Sequence, residues 1–274
     1  MIRTRRTQGL PLELALWGVA LLFLVPLVTM VSIAFRDQRA PTDPLAITFP
    51  PTLDNLVQAW STSPLGASML NSAVITVSTV VLSIAVGAVA AYPLARSTRA
   101  WSKTAYYFFL AGLLVPGQLG LLPLYQTMRD VGLLGTIPGL VLVHLGGSLA
   151  FTIFLFTTFL RDLPVEYEEA ALLDGCGPVR TFILVVFPLL RPVIGSVAIL
   201  TAVATWNAYL VPLLYVGASG YAMVPVTIAT FVGQFSTNYP VIFSGILITV
   251  LPLLIGYFLL QKTVIQGFAS GLKG

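Results

Sequence analysis

Charge is what this sequence has least of. Asp, Glu, Lys and Arg make up 9% of its 274 residues, against about a quarter in a soluble domain, so an ordinary water-soluble fold is excluded. Cysteine occurs once, at Cys176, which excludes an intrachain disulfide. Histidine also occurs once, at His144, inside an apolar run with no acid beside it. Metal-ligand spacing and a histidine-centred catalytic constellation are therefore both missing. No Gly-x-x-x-x-Gly-Lys-Ser/Thr loop is present, so the chain lacks the usual cradle for nucleotide phosphates. The 14 basic residues outnumber the 10 acidic ones without forming a basic face, which leaves no argument for nucleic acid.

What is there is apolar: 57% hydrophobic residues and a mean hydropathy of +0.93. Runs at 14–35, 67–95, 103–127, 136–160, 192–216 and 241–261 are each long enough to cross a hydrocarbon core of about 30 Å. The expected fold is an all-α polytopic membrane protein with six transmembrane helices. Arg3, Arg5 and Arg6 precede the first run without a small-residue cleavage site, so that run reads as a retained helix. With the N-terminus in the cytoplasm, the inner segments hold eleven basic residues, from Arg3, Arg5, Arg6, Arg96, Arg99 and Lys103 through Arg161, Arg180 and Arg191 to Lys262 and Lys273. The outer segments hold Arg36, Arg39 and Arg129. This asymmetry puts both termini inside, where Cys176 is a reduced thiol. The proline-bearing stretch 36–66 is an external loop with a short helix near 53–60.

One polar segment, 161–192, stands between two apolar runs. Asp162 is placed to cap a short helix and Pro164 to open it. Glu166, Glu168 and Glu169 fall in its first turns, where negative charge complements the helix dipole. Ala170, Ala171, Leu172 and Leu173 continue it, and Asp174 leads to Gly175, whose freedom at positive φ ends it. Pro178 then opens a second helix that enters the membrane.

The order Glu169-Ala170-Ala171, then Gly175, then Val185-x-Phe187-Pro188 resembles the EAA loop in the membrane subunits of ATP-binding-cassette importers. Val185 and Phe187 depart from the usual Ile-x-Leu-Pro but stay apolar. The resemblance implies a type I importer permease fold and a docking helix seated in a separate ATPase. Further matches are Asn71-Ser72, Ala90-Ala91-Tyr92 with Arg96, Pro116, Pro123-Leu124-Tyr125, Gly132-Leu133-Leu134, Trp206-Asn207-x-Tyr209-x-x-Pro212-Leu213 and the terminal 267–274. These are similar to the maltose-type, carbohydrate-uptake branch, in which Ala208 often has an acidic counterpart. The implied organisation is 1–66 for the N-terminus, first helix and external loop, 67–262 for a five-helix permease core, and 263–274 for a cytoplasmic tail. The implied partners are a second homologous permease, an ATPase dimer, an external solute-binding protein, a sugar and the lipid bilayer of a bacterial inner membrane. ATP and Mg²⁺ belong to the ATPase; this chain would bind no cofactor and perform no covalent chemistry.

The spans are polar without being charged. Asn71, Gln118, Tyr125, Trp206, Asn207 and Tyr209 offer amides, a phenol and aromatic faces, which suit a neutral polyhydroxylated solute. They equally suit helix-to-helix bonding, worth about 0.6–2 kcal/mol each. His144 is open to a packing role or a functional one. The segment 217–240 reads as a connector or as a loop that reaches toward the binding protein. The sequence shows no inverted pair of broken helices of the kind found in many secondary transporters. A transporter or channel working without an ATPase is the rival reading, and it leaves the acidic loop helix unexplained.

Overall fold

A computed structural model describes residues 10–38, 50–217, 219–235 and 238–271, with side chains undescribed at 10–12, 257 and 259–271. Arg39, Lys262 and Lys273 and the ends of the sequence therefore fall outside the described side chains. Among the described residues there is no strand. The helices are α1 (Leu10–Ala34), α2 (Asp54–Thr62), α3 (Leu65–Arg96), α4 (Ala100–Leu114), α5 (Leu121–Asp130), α6 (Ile137–Asp162), α7 (Glu166–Leu173), α8 (Pro178–Thr181), α9 (Phe187–Leu189), α10 (Arg191–Trp206), α11 (Leu210–Val216), α12 (Val224–Gln234) and α13 (Tyr239–Gly271). Within α1, α3, α6 and α13 lie four stretches long and apolar enough to cross a membrane, and the count reaches six if each of two bent pairs is one span.

The bends are where the sequence and the structure part. The run 103–127 was expected to be one helix, but α4 and the segment through α5 meet at 95°. Pro116 is the cause: it disfavours helical backbone in the residue before it, and Val115 is extended at φ −81°, ψ 119°. The run 192–216 likewise ends early, at Trp206, and resumes as α11. Its membrane partner is instead Pro178–Leu189, which meets α10 at 72°. Pro188 and Pro192 each lack an N–H and crowd the carbonyl four residues back. Ahead of them the helix widens to π geometry over Phe182–Val186. Helix α6 begins cleanly, because the Thr136 hydroxyl accepts a hydrogen bond from the Gly139 N–H at 3.1 Å and Pro138 sits where no donor is needed.

The chain divides into two compact units, Met1–Leu65 with Ile228–Leu251, and Gly66–Thr227 with Pro252–Gly274. In the first, Asn55 is fully buried and its amide donates to the carbonyls of Ala34 and Arg36 at 3.0 and 2.7 Å. Ala59, Leu65, Phe231 and Val241 form its core. In the second, one core joins Ala88, Ala91, Phe156, Leu160, Val186, Leu190, Val193 and Val197. A second core joins Ile75, Leu140, Val141, Val143, Tyr215, Val216 and Met223. Helices α3 and α6 approach closely: a Cβ on Gly87 would clash with the methyl of Thr152, and the Ser83 and Ser148 hydroxyls share a hydrogen bond of 2.7 Å.

Candidate functional site

The polar loop folds as a hook in which α7 packs against α8 and the π segment that follow it. Asp162 is the last residue of α6 and does not cap α7; the capping position is Val165, which has no side-chain bond to give. Pro164 accordingly lies in the linker two residues before the helix. The first-turn N–H groups of Glu168 and Glu169 go to the Val165 carbonyl at 2.9 and 3.1 Å. At the other end Gly175 has φ +81°, the left-handed conformation expected of it. The Cys176 N–H reaches the Ala171 carbonyl at 2.9 Å and the Gly175 N–H reaches that of Leu172 at 3.0 Å, which is a Schellman closure.

Helix α7 has two unlike faces. Ala171 is buried and Glu168 is turned inward, while Glu166, Glu169, Ala170, Asp174 and Gly175 are exposed. Both Glu168 oxygens are held by α3: Oε1 accepts from Arg96 Nε and Oε2 from the Tyr92 hydroxyl, each at 2.7 Å. The outward face also carries Leu173, 90% exposed, with Leu172 and Tyr167 more than half exposed. The sequence reading treated these leucines as helix continuation. Leu173, five residues beyond Glu168, falls on another side of the helix from the Glu168–Ala171 pair, and that spacing was the signal for its exposure; Leu172, four residues beyond Glu168, carries no such signal. Pro188 lies behind the loop, half-buried, in α9.

The residues proposed for a solute route separate into groups. Gln118 and Tyr209 line one groove of about 470 Å³ together with His144, Ser148 and Thr205. Trp206 lines a different, nearly wholly apolar groove of about 580 Å³ with Met69, Thr76 and Val203. Asn71 donates to the Ala222 carbonyl at 3.2 Å, and Tyr125 packs edge-to-face on Tyr215 with ring centres 5.8 Å apart. Asn207 closes the end of α10, its amide donating to the Val203 carbonyl at 2.9 Å. His144 Nε2 is buried and has no hydrogen-bond partner among the described residues. No group of three or more metal-ligating side chains occurs among the described residues.

Membrane-crossing helices, a hooked acidic helix beyond them and two uncharged grooves, one nearly wholly apolar and one with amide, phenol and hydroxyl groups, are the features of a transport permease. The chain belongs to the family described as binding-protein-dependent transport system inner membrane component, whose model matches residues 83–268. It is 32% identical over 269 residues to the diacetylchitobiose uptake system permease protein NgcG of Streptomyces coelicolor, covering 94% of this chain and 86% of that one. It is 31% identical to the melibiose/raffinose/stachyose import permease protein MelC of Bacillus subtilis, over 80% of each. A solved structure, of a bacterial ABC transporter involved in the import of the acidic polysaccharide alginate, shares the fold at a TM-score of 0.82 and 22% identity, covering 96% of this chain and 98% of that one. The chain is thus a membrane permease component of an ATP-binding-cassette importer, in which ATP is hydrolysed by a separate subunit.

Proposed function

We propose that this chain forms one half of an inward pathway for a saccharide and is driven through α7 by a docked ATPase. The observation that carries the proposal is the outward face of α7: exposed Leu172 and Leu173 flanked by the acids Glu166, Glu169 and Asp174. An apolar knob with a charged rim on a helix too acidic for lipid is the composition of a protein interface. A partner whose cleft is apolar at its centre and basic at its edge would complete it. The basic-residue asymmetry supports placing this hook, and both termini, in the cytoplasm. The Leu173→Cys thiol in a Cys176→Ser background should react with a membrane-impermeant reagent from the cytoplasmic side only. It should also cross-link to the ATPase subunit of the assembled complex. Labelling from the outer face, or no cross-link in a fully assembled importer, would reject the reading.

The saccharide part rests on the named substrates of the relatives and on the groove that holds Gln118 and Tyr209. Its amide, phenol and hydroxyl groups can bond sugar hydroxyls, and its uncharged lining offers nothing to an ion. Tyr209 is 45% exposed there. Tyr209→Phe, which keeps the ring, should lower the import rate about two- to tenfold, the worth of one hydrogen bond, at unchanged abundance. A fall in abundance that matches the fall in import would assign Tyr209 to packing. The amide of Asn207 is already spent on its own helix, so Asn207→Ala should act mainly on the end of α10.

A further inference from the structure

Of the three glutamates in α7, Glu168 is the one the surface does not see: its side chain is 12% exposed and that of its partner Arg96 17%. Each carboxylate oxygen has its own donor on α3, Arg96 Nε on one and the Tyr92 hydroxyl on the other. The guanidinium is fixed in turn by a third bond, from Nη2 to the Leu163 carbonyl at 3.0 Å, in the linker between α6 and α7. The Tyr92 ring packs on Phe182, 5.1 Å between centres, at the start of the π segment. The end of α3 is itself anchored, since the Ser102 hydroxyl of α4 donates to the carbonyls of Pro93 and Leu94 at 3.3 and 3.2 Å. One carboxylate thus gathers α3, the α6–α7 linker and α7, and through Tyr92 touches the segment that re-enters the membrane.

We propose that Tyr92 and Arg96 are positioning residues that clamp α7 to the end of α3 through Glu168, so that a partner moving α7 moves α3 with it. Glu168 is then an internal strut, and the partner-facing acids are Glu166 and Glu169. The inference rests on the reading of α7 as the docking helix and adds the route by which its motion leaves the loop. Apart from the clamp, α7 is held by its two linkers and packs against α8 and the π segment of its own loop, with Ala171 buried; the bonds of Glu168 are what tie it to α3. With the clamp, displacement enters a continuous helix of 32 residues. Near its far end α3 lines the apolar groove with Met69, Ala73, Thr76 and Val77. A partly buried ion pair suits this role because salt and water screen it little, and because removing one partner leaves the other charge uncompensated.

The test uses the complete importer, reconstituted with its ATPase and binding protein, and reads three quantities: ATPase retained on purification, ATP hydrolysed and solute imported. Arg96→Ala, Tyr92→Phe and Glu168→Gln should keep the ATPase and hydrolyse ATP. Arg96→Ala should raise the ATP consumed per solute about fivefold or more, the lower end of the range for coupling between two sites, with the other two following in the same direction. The exchange of charges, Arg96→Glu with Glu168→Arg, should recover most of the loss, which a contact needed only for folding would show as recovered abundance without recovered coupling. Parental coupling in all three single variants, alongside failure of Glu169→Arg, would overturn the clamp and leave docking intact. Loss of the ATPase from Glu168→Gln would also overturn it, by making Glu168 a partner contact. If Arg96→Ala does not insert, the charge exchange decides: coupling near the parent's supports the clamp, and a folded but uncoupled protein overturns it. Parental coupling in Glu169→Arg as well would remove the docking reading itself.

Discussion

Gly175 holds the end of the α7 hook at φ +81°, and a Cβ built there would meet nothing within 4 Å. Its requirement is therefore backbone conformation and not space. Gly175→Val should cost about 1–2 kcal/mol locally, loosen the Schellman closure and impair transport at normal abundance. Gly175→Asn, which tolerates the left-handed region, should stay close to the parent. Equal transport by the valine and asparagine variants would show that this turn does not set the hook. The need for a glycine was legible because the residue follows an Ala-Leu run and precedes Gly177-Pro178. The division of labour among the glutamates was not. Three acids within four residues look alike in sequence, and only the burial of Ala171 and the reach of Arg96 from a helix far away along the chain turn Glu168 inward.

Helices α3 and α6 pack closely because one of them carries a glycine where the other carries a threonine methyl, at Gly87 and Thr152. Small residues allow close approach of helices in membranes, where packing and interhelical bonds drive association. Gly87→Ala should overpack this contact by about 1–3 kcal/mol and lower the Tm of the purified complex. Adding Thr152→Ser, which removes the clashing methyl, should restore it; an unchanged Tm for Gly87→Ala would show that the helices can part without loss. The existence of the helices was legible because apolar length decides it. Their bends were not, because apolar composition reads the same for one straight span as for two short helices. Pro116, Pro188 and Pro192 were visible in the sequence, yet a proline inside an apolar run marks either a mild kink or a full break. Packing against neighbours decides which.

At the scale of the whole molecule, the polytopic class, the number of spans and the family were within reach of the sequence, since they rest on hydropathy and on a spaced motif. The grouping of the side chains proposed for a solute route was out of reach: Gln118 and Tyr209, distant in sequence, share a groove only after the bent pairs fold, while Asn71 and Tyr125 turn to neighbours in the protein. The account makes the chain a transmission element whose outward acidic face receives force from an ATPase. Glu169 is exposed on that face, and among the described residues it forms no ion pair. On the proposed docking, Glu169→Arg turns attraction to a basic cleft into repulsion and leaves a charge buried without a partner, a penalty of several kcal/mol. The decisive measurement is solute-stimulated ATP hydrolysis by the reconstituted importer carrying Glu169→Arg. The account predicts normal insertion and pairing with the second permease but loss of stimulated hydrolysis, partly restored by an acidic substitution in the ATPase cleft. Hydrolysis and import at the parent's level would contradict it.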